Sequence, residues 1–108
     1  MGTKAYSVYM VRAARGIFYT GISTDVGRRL VEHRDGRRGA RALRGKGPLT
    51  LVFSEEVGDR GLAARVEYRV KRLSRTQKEI LASGRSTLLE LVPEAFASRV
   101  QASGADAE

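Results

Sequence analysis

The chain has 108 residues, of which 42% are hydrophobic and 30% charged, and its formal net charge at pH 7 is +8. A chain of this size is expected to form one domain around one hydrophobic core. The chain has no cysteine and one histidine. This composition excludes a disulfide framework and a cysteine-ligated zinc, so any metal should be a hard cation held by oxygen. We expect a cytoplasmic protein, since no apolar run approaches a membrane span and the N-terminus lacks an apolar signal region.

The first part of the chain predicts a β-hairpin. Two apolar and aromatic runs, Ala5–Arg12 and Gly16–Gly21, are separated by a short segment that contains a glycine, as in short hairpin loops. A loop of about three residues would place Tyr9 directly opposite Tyr19, on one side of the sheet.

A helix is predicted from about Thr24 to Asp35, because the residues at its start supply capping oxygens and negative charge. At 100° per residue, Arg29 and His33 lie on one flank of its apolar stripe. Arg28 points towards solvent. The helix therefore presents Arg29, rather than Arg28, to the sheet.

Basic residues are concentrated between Arg28 and Lys46, a segment that supplies +6 of the net charge. Clustered cations favour polyanions, because binding releases counterions from a phosphate backbone. The glycine-rich and arginine-rich loop Asp35–Pro48 is interpreted as a phosphate-backbone clamp, and a mobile, solubilising surface loop is the alternative. The candidate nucleic-acid-binding residues are Arg34, Arg37, Arg38, Arg41, Arg44 and Lys46.

The next residues, Leu49–Val57, alternate in polarity and predict a third strand with Leu49, Leu51 and Phe53 on one face. A helix then follows to about Leu73. Glu67 lies at the edge of its apolar stripe, where a carboxylate needs a cation or hydrogen-bond donors. It is either a metal ligand or the partner of Lys71 in an i,i+4 salt bridge.

The C-terminal part predicts a helix from Ser74 to Ala82 that ends at Gly84. Residues 85–108 are expected to form an appended helical segment, with Pro93 near a helix start, and a flexible tail. The first domain would then comprise residues 1–84.

Two tripeptides, Ser7-Val8-Tyr9 and Tyr19-Thr20-Gly21, resemble the pair that names the GIY-YIG nuclease superfamily. Arg29, His33 and Glu67 resemble the arginine, histidine and metal-binding glutamate of that family. The resemblance covers roughly residues 5–84 and is closest to the small, stand-alone bacterial branch. The chain departs from the family in keeping only the tyrosine of the first tripeptide. It also contains no asparagine, whereas many members carry one after the glutamate helix.

The resemblance implies a metal-dependent endonuclease that hydrolyses phosphodiester bonds in DNA, with repair or branched and damaged DNA as the expected setting. It implies Mg²⁺ or Mn²⁺ on Glu67, and Arg29 as the group that stabilises transition-state charge. A nearby arginine or metal is expected to lower the pKa of a tyrosine from about 10. The expected base is Tyr19, with Tyr9 positioning water or phosphate and His33 as a secondary acid, base or phosphate ligand.

The resemblance and the element order together imply an α/β (α+β) fold. Its small, mainly antiparallel three-stranded sheet would be flanked by helices, with Ala5–Arg12 as the middle strand. Two other functions stay open: a non-cleaving nucleic-acid-binding module on the same fold, and a small basic protein that binds structured RNA without metal. Retention of Tyr9, Tyr19, Arg29 and Glu67 favours the enzyme. A protein partner that supplies specificity is compatible with each of these functions.

Overall fold

The computed structural model describes residues 4–35 and 48–96 of the chain. The predictions for the loop and for the tail after residue 96 lie outside the described residues. So do the nucleic-acid-binding assignments of Arg37, Arg38, Arg41, Arg44 and Lys46.

The described elements form an antiparallel sheet with helices on both faces. They are β1 (Tyr6–Arg12), a 3₁₀ turn (Ala14–Gly16), β2 (Phe18–Ser23), α1 (Val26–Asp35), β3 (Thr50–Gly58), α2 (Arg60–Lys71), α3 (Arg75–Ser83) and α4 (Leu88–Leu91). Residues 93–96 are helical as well. The strand order is β2-β1-β3, with β1 antiparallel to both neighbours. The predicted α+β fold and the central position of the first strand are therefore confirmed. Within the described ranges, none of the helices combines the length and apolar character needed to cross a membrane.

The hairpin register differs from the predicted one by two residues. Tyr9 pairs with Gly21, and Tyr19 lies two residues nearer the turn. The prediction that Tyr9 and Tyr19 are directly opposite is wrong because the connection is longer than three residues. It begins at Ala13, whose amide donates to the carbonyl of Ile17 at 2.8 Å. A shift of two residues keeps every side chain on its face, so both tyrosines still lie on one side of the sheet.

An irregularity in β3 overturns its predicted alternation. The register against β1 shifts by one residue at Val52, as in a β-bulge. Val52 and Phe53 consequently both pack against the larger core, and Leu51 is 40% exposed. Leu49 is buried on the opposite face. The prediction that Leu49, Leu51 and Phe53 share a face is therefore wrong.

The sheet separates two hydrophobic clusters, and β1 contributes to both because its side chains alternate. The larger cluster lies against α2, α3 and α4 and contains Val8, Met10, Leu62, Ala63, Val66, Val70, Leu81, Leu88, Val92 and Ala95. The smaller cluster lies against α1 and contains Tyr9, Val11, Ala13, Leu30 and Leu49. Residues 88–96 thus pack into the same core as the sheet.

The helix ends follow from local capping. The Asp59 carboxylate accepts the Leu62 amide at 2.8 Å and begins α2. Ser74 and Gln77 form a reciprocal capping box at the start of α3, and Gly84 ends that helix with a φ of +82°. These caps fix the helix bounds within one or two residues of those predicted.

Candidate active site

The ring of Tyr9 crosses strand β2 over Gly21. A Cβ atom at position 21 would lie 2.6 Å from the Tyr9 hydroxyl oxygen and 2.7 Å from its Cζ. Real Cβ atoms do not approach so closely, so this position requires glycine. The Tyr9 side chain is buried, and it belongs to the cluster beneath α1. The glycine of the second tripeptide therefore makes the space through which Tyr9 reaches the helix.

The Tyr9 hydroxyl meets His33 in the interior. The Tyr9 hydroxyl oxygen and His33 Nε2 are 2.8 Å apart, within hydrogen-bond distance. The imidazole is 7% exposed. Burial, followed by the positive charge of Arg29, lowers the pKa of His33 below its usual value. His33 is accordingly neutral at neutral pH. Its buried Nδ1 has no hydrogen-bond partner among the described residues.

The start of α1 orients two consecutive arginines differently. The Asp25 carboxylate accepts the amide of Arg28 at 3.1 Å, which sets the first turn. The Arg28 side chain is 71% exposed and that of Arg29 is 30% exposed. Both donate to Glu32, Arg29 Nη1 at 3.0 Å and Arg28 Nε at 3.3 Å. The hydrogen bond from Arg29, ahead of other causes, lowers the pKa of Glu32.

Arg29 on α1 and Glu67 on α2 both affect the pKa of Tyr9. Burial is the largest effect on the Tyr9 phenol and raises its pKa above 10. A hydrogen bond from Arg29 and the charge of that guanidinium act in the opposite direction, and the negative charges of Glu67 and Glu32 add to the rise. Arg29 thus lowers the Tyr9 pKa, as expected of a neighbouring arginine, but desolvation outweighs this effect and the net pKa is raised.

Glu67 is positioned by α2 and is 23% exposed at its side chain. Lys71 Nζ lies 3.3 Å from its carboxylate, so the i,i+4 salt bridge that the spacing allows is present. Such a pair at a partly solvated surface contributes only about 0.3–0.5 kcal/mol. This weak salt bridge leaves the Glu67 carboxylate accessible to a cation that binds more strongly than Lys71.

The remaining predicted residues lie around this group. Tyr19 is half-buried and packs against the smaller cluster beside Tyr9, and Arg34 is exposed in the last turn of α1. The structure thus brings together Tyr9, Arg29, His33 and the charge of Glu67. Arg29 also lines a groove of about 340 Å³, together with Ser23, Thr24, Asp25, Arg28 and Glu32.

Glu32 and Gly21 were not among the site residues predicted from the sequence. Glu32 lies three and four residues after the two arginines, and this spacing alone signals ion pairs on a helix. The role of Gly21 has no such signal, because it depends on the hairpin register.

A family model described as the GIY-YIG catalytic domain matches residues 5–80 of the chain. The chain belongs to the GIY-YIG family. Its membership confirms the resemblance drawn from the two tripeptides and supports nuclease chemistry on a nucleic-acid substrate.

Similar proteins share this GIY-YIG chain's small size. A UPF0213 protein of Yersinia pestis (strain Pestoides F) is 54% identical over 89 residues, covering 82% of this chain and 93% of that protein. A UPF0213 protein of Yersinia pseudotuberculosis (serotype O:3, strain YPIII) shows the same identity and coverage. The solution NMR structure of the UPF0213 protein BH0048 from Bacillus halodurans is 40% identical and covers 83% of this chain and 89% of its own, with a TM-score of 0.46.

GIY-YIG nucleases generally use a divalent metal, and the residues of this chain fit a metal site with a single protein ligand. In the described ranges, no three His, Asp or Glu side chains come together as a ready-made metal site. Mg²⁺ is commonly held by one or two carboxylates, with phosphates of the substrate and water completing its shell. The accessible carboxylate of Glu67 fits this arrangement as a single protein ligand.

The buried histidine of this GIY-YIG chain is expected to make its stability depend on pH. His33 has a lowered pKa in the folded state, whereas the unfolded chain binds the proton at about pH 6.5. The unfolded state therefore binds more protons below pH 6.5, and stability falls as the pH drops from 7.5 to 5. Thermal denaturation across this range should show a falling Tm that becomes shallower in His33→Gln.

The assignment is direct because the chain contains one histidine and ordinary carboxylates titrate below about pH 4.5. A wild-type Tm that stays constant between pH 7 and pH 5 would contradict the buried, neutral state of His33.

Proposed function

We propose that this chain is a metal-dependent endonuclease that hydrolyses phosphodiester bonds in DNA, acting in the cytoplasm on branched or damaged structures during repair. The observation that carries the proposal is the buried Tyr9–His33 pair, whose phenol is also acted on by the charges of Arg29 and Glu67. Membership of the GIY-YIG family supports it.

The hydrogen-bond pattern around Tyr9 suggests how a water molecule is deprotonated. Arg29 donates to the Tyr9 oxygen, so the phenol proton is directed towards His33 Nε2 at 2.8 Å. This places the imidazole proton on Nδ1, an assignment that follows from the network. Neutral His33 can accept the phenol proton while Tyr9 accepts one from water. This pattern favours Tyr9 as the base and Tyr19 as the positioning residue, the reverse of the roles expected from the sequence.

The charged residues take complementary roles. The planar donors of Arg29 stabilise negative charge on the phosphate as the bond to water forms. Glu67 is the carboxylate proposed to hold Mg²⁺ or Mn²⁺, which when bound would neutralise a phosphate oxygen and assist the leaving oxygen. Arg34 and the five basic residues of the 36–47 loop are proposed to contact the phosphate backbone.

The test is a cleavage panel with Mg²⁺, Mn²⁺ or chelator. Its labelled substrates are single-stranded, duplex, nicked, flapped and branched DNA, plus RNA. Arg29→Gln is expected to slow cleavage of the preferred DNA about 100-fold, because one preformed donor to the transition state is lost. Arg28→Gln is the matched control, since both arginines pair with Glu32 but Arg28 faces solvent. Equal rates for the two variants would contradict the assignment of Arg29.

A second candidate, a non-cleaving nucleic-acid-binding module, is favoured by one observation. The salt bridge between Glu67 and Lys71 gives the glutamate a structural partner without any metal. Binding without cleavage under every metal condition would support this module and reject the endonuclease for the isolated chain.

A further inference from the structure

Two arginines from different elements pack on one aromatic ring at the end of the hairpin. Arg12 Cζ lies 5.1 Å and Arg75 Cζ 5.0 Å from the centroid of the Phe18 ring. Arg12 is the cross-strand partner of Phe18, and Arg75 is the first residue of α3. Both distances are within the range of cation–π contacts. The ring therefore brings two guanidinium groups together at one place on the surface.

The hairpin turn lies close to one of these groups. Gly16 has a φ of +74°, and a Cβ atom there would lie 3.1 Å from Arg75 Nη2. Glycine at this position avoids the backbone strain that a positive φ imposes on other residues. Arg15, in the same turn, is exposed. We call Arg12, Arg15, Phe18 and Arg75 the hairpin cluster.

The hairpin cluster concentrates positive charge. In the part of the chain that the structure describes, Glu79 is the one carboxylate paired with it, accepting from Arg75 Nε at 3.0 Å. The first turn of α3 holds no acidic residue, so the positive end of the helix dipole adds to the field. Cations held this close repel one another, and an anion between or beside them relieves that repulsion.

The hairpin cluster lies on the opposite face of the sheet from Tyr9. The Arg12–Phe18 pair is three steps along the strands from the Tyr9–Gly21 pair, and an odd number of steps changes the face of the sheet. Phe18 accordingly packs against the larger hydrophobic cluster, whereas Tyr9 belongs to the smaller one. The hairpin cluster is therefore a basic surface separate from the Tyr9–His33 pair.

We propose that the hairpin cluster binds a backbone phosphate of the nucleic-acid substrate, outside the candidate active site. Guanidinium groups match the geometry of a phosphate through paired N–H donors, and the Phe18 ring keeps them ordered before the substrate arrives. The cluster contacts no bases in this role, so it anchors the substrate and carries no sequence preference. The inference rests on the proposed action on nucleic acid.

The test measures the binding of a fluorescein-labelled DNA duplex by fluorescence anisotropy. Chelator is present so that no cleavage interferes. The Kd is measured between about 50 and 300 mM KCl for the wild type and for the double variant Arg12→Gln/Arg75→Gln. Losing the contacts to one phosphate should reduce the slope of log Kd against log salt by about 1. The matched control is Arg65→Gln/Arg85→Gln, which removes two exposed charges elsewhere and should leave the slope unchanged.

A further variant, Phe18→Leu, retains every charge but removes the ring that orders the arginines. It should weaken binding, and its melting temperature is measured alongside to show that the domain is folded. If the Arg12→Gln/Arg75→Gln protein and the control have equal slopes of log Kd against log salt, the phosphate-binding role of the hairpin cluster is overturned. The proposed endonuclease function is not affected by that result. Failure of the wild type to bind any nucleic acid overturns both. Loss of cleavage with binding and slope difference retained overturns the endonuclease alone.

Discussion

Glu67→Gln is expected to lower the rate of metal-dependent DNA cleavage about 1,000-fold while leaving DNA binding in chelator unchanged. The substitution keeps the shape of the side chain but removes the negative charge proposed to hold the cation, whose contribution amounts to several kcal/mol of transition-state stabilisation. The rate is measured in single-turnover cleavage of the preferred substrate, over a titration of Mg²⁺ and of Mn²⁺.

The matched control is Lys71→Met, which removes the other member of the same ion pair. A purely structural salt bridge predicts equal, small effects for both variants, about 0.3–0.5 kcal/mol of stability with cleavage unaffected. A metal ligand predicts unequal effects. Lys71→Met then retains cleavage and reaches its half-maximal rate at a lower metal concentration, because the lysine no longer competes for the carboxylate. Equal rates for Glu67→Gln and Lys71→Met would reject the metal role.

Gly21→Ala is expected to reduce cleavage about 1,000-fold and to destabilise the domain by about 1–3 kcal/mol. The added methyl group would occupy the space of the Tyr9 ring, 2.6 Å from its hydroxyl oxygen. The ring must move, which strains a packed core and separates the hydroxyl from His33 and Arg29. Loss of a positioned general base costs about 10²–10⁴ in rate. Cleavage kinetics and thermal denaturation measure the two effects.

Gly27→Ala is the matched control, because a Cβ atom at that exposed position in α1 has its nearest neighbour at 3.8 Å. It should retain full cleavage and gain up to about 1 kcal/mol of stability, since alanine favours the helix over glycine. Tyr9→Phe separates the chemistry from the packing. It keeps the ring above Gly21 and should lose cleavage with less destabilisation than Gly21→Ala. If Tyr9→Phe cleaves normally and Tyr19→Phe does not, Tyr19 is the base instead.

The sequence predicted those features of the fold that local patterns determine. Capping oxygens and apolar spacing located α1, α2 and α3, and the helical period of α1 separated solvent-facing Arg28 from Arg29. The order of the strands followed from the family resemblance. These features need only neighbouring residues or a shared motif.

Two features depended on backbone geometry that the sequence does not display. The connection runs from Ala13 to Ile17 and includes Arg15, which adopts a φ of +70° although it is not a glycine. The length of this connection places Tyr9 opposite Gly21. The bulge at Val52 lies within three consecutive apolar residues, where alternation gives no unique assignment of faces. In both cases the local sequence pattern allows more than one strand register, and tertiary packing selects one of them.

The electrostatics of the site were the least predictable from sequence. The presence of an arginine near a tyrosine suggested a lowered phenol pKa, yet burial of Tyr9 reverses the sign. How deeply a side chain is buried depends on the whole fold. The pairing of Tyr9 with His33, 24 positions apart, likewise required the hairpin register and the docking of α1 together.

The central position of β1 has a consequence for motion. Its backbone pairs with a strand on each side, and its side chains belong to both hydrophobic clusters, so we expect its amides to exchange with solvent more slowly than those of the edge strands. Tyr9 is therefore expected to lie on a rigid part of the described fold. Tyr19 and Gly21 belong to β2, an edge strand that can separate in smaller, more frequent fluctuations. The candidate site thus combines Tyr9 on the central strand β1 with Tyr19 and Gly21 on the edge strand β2, which can move when a substrate binds.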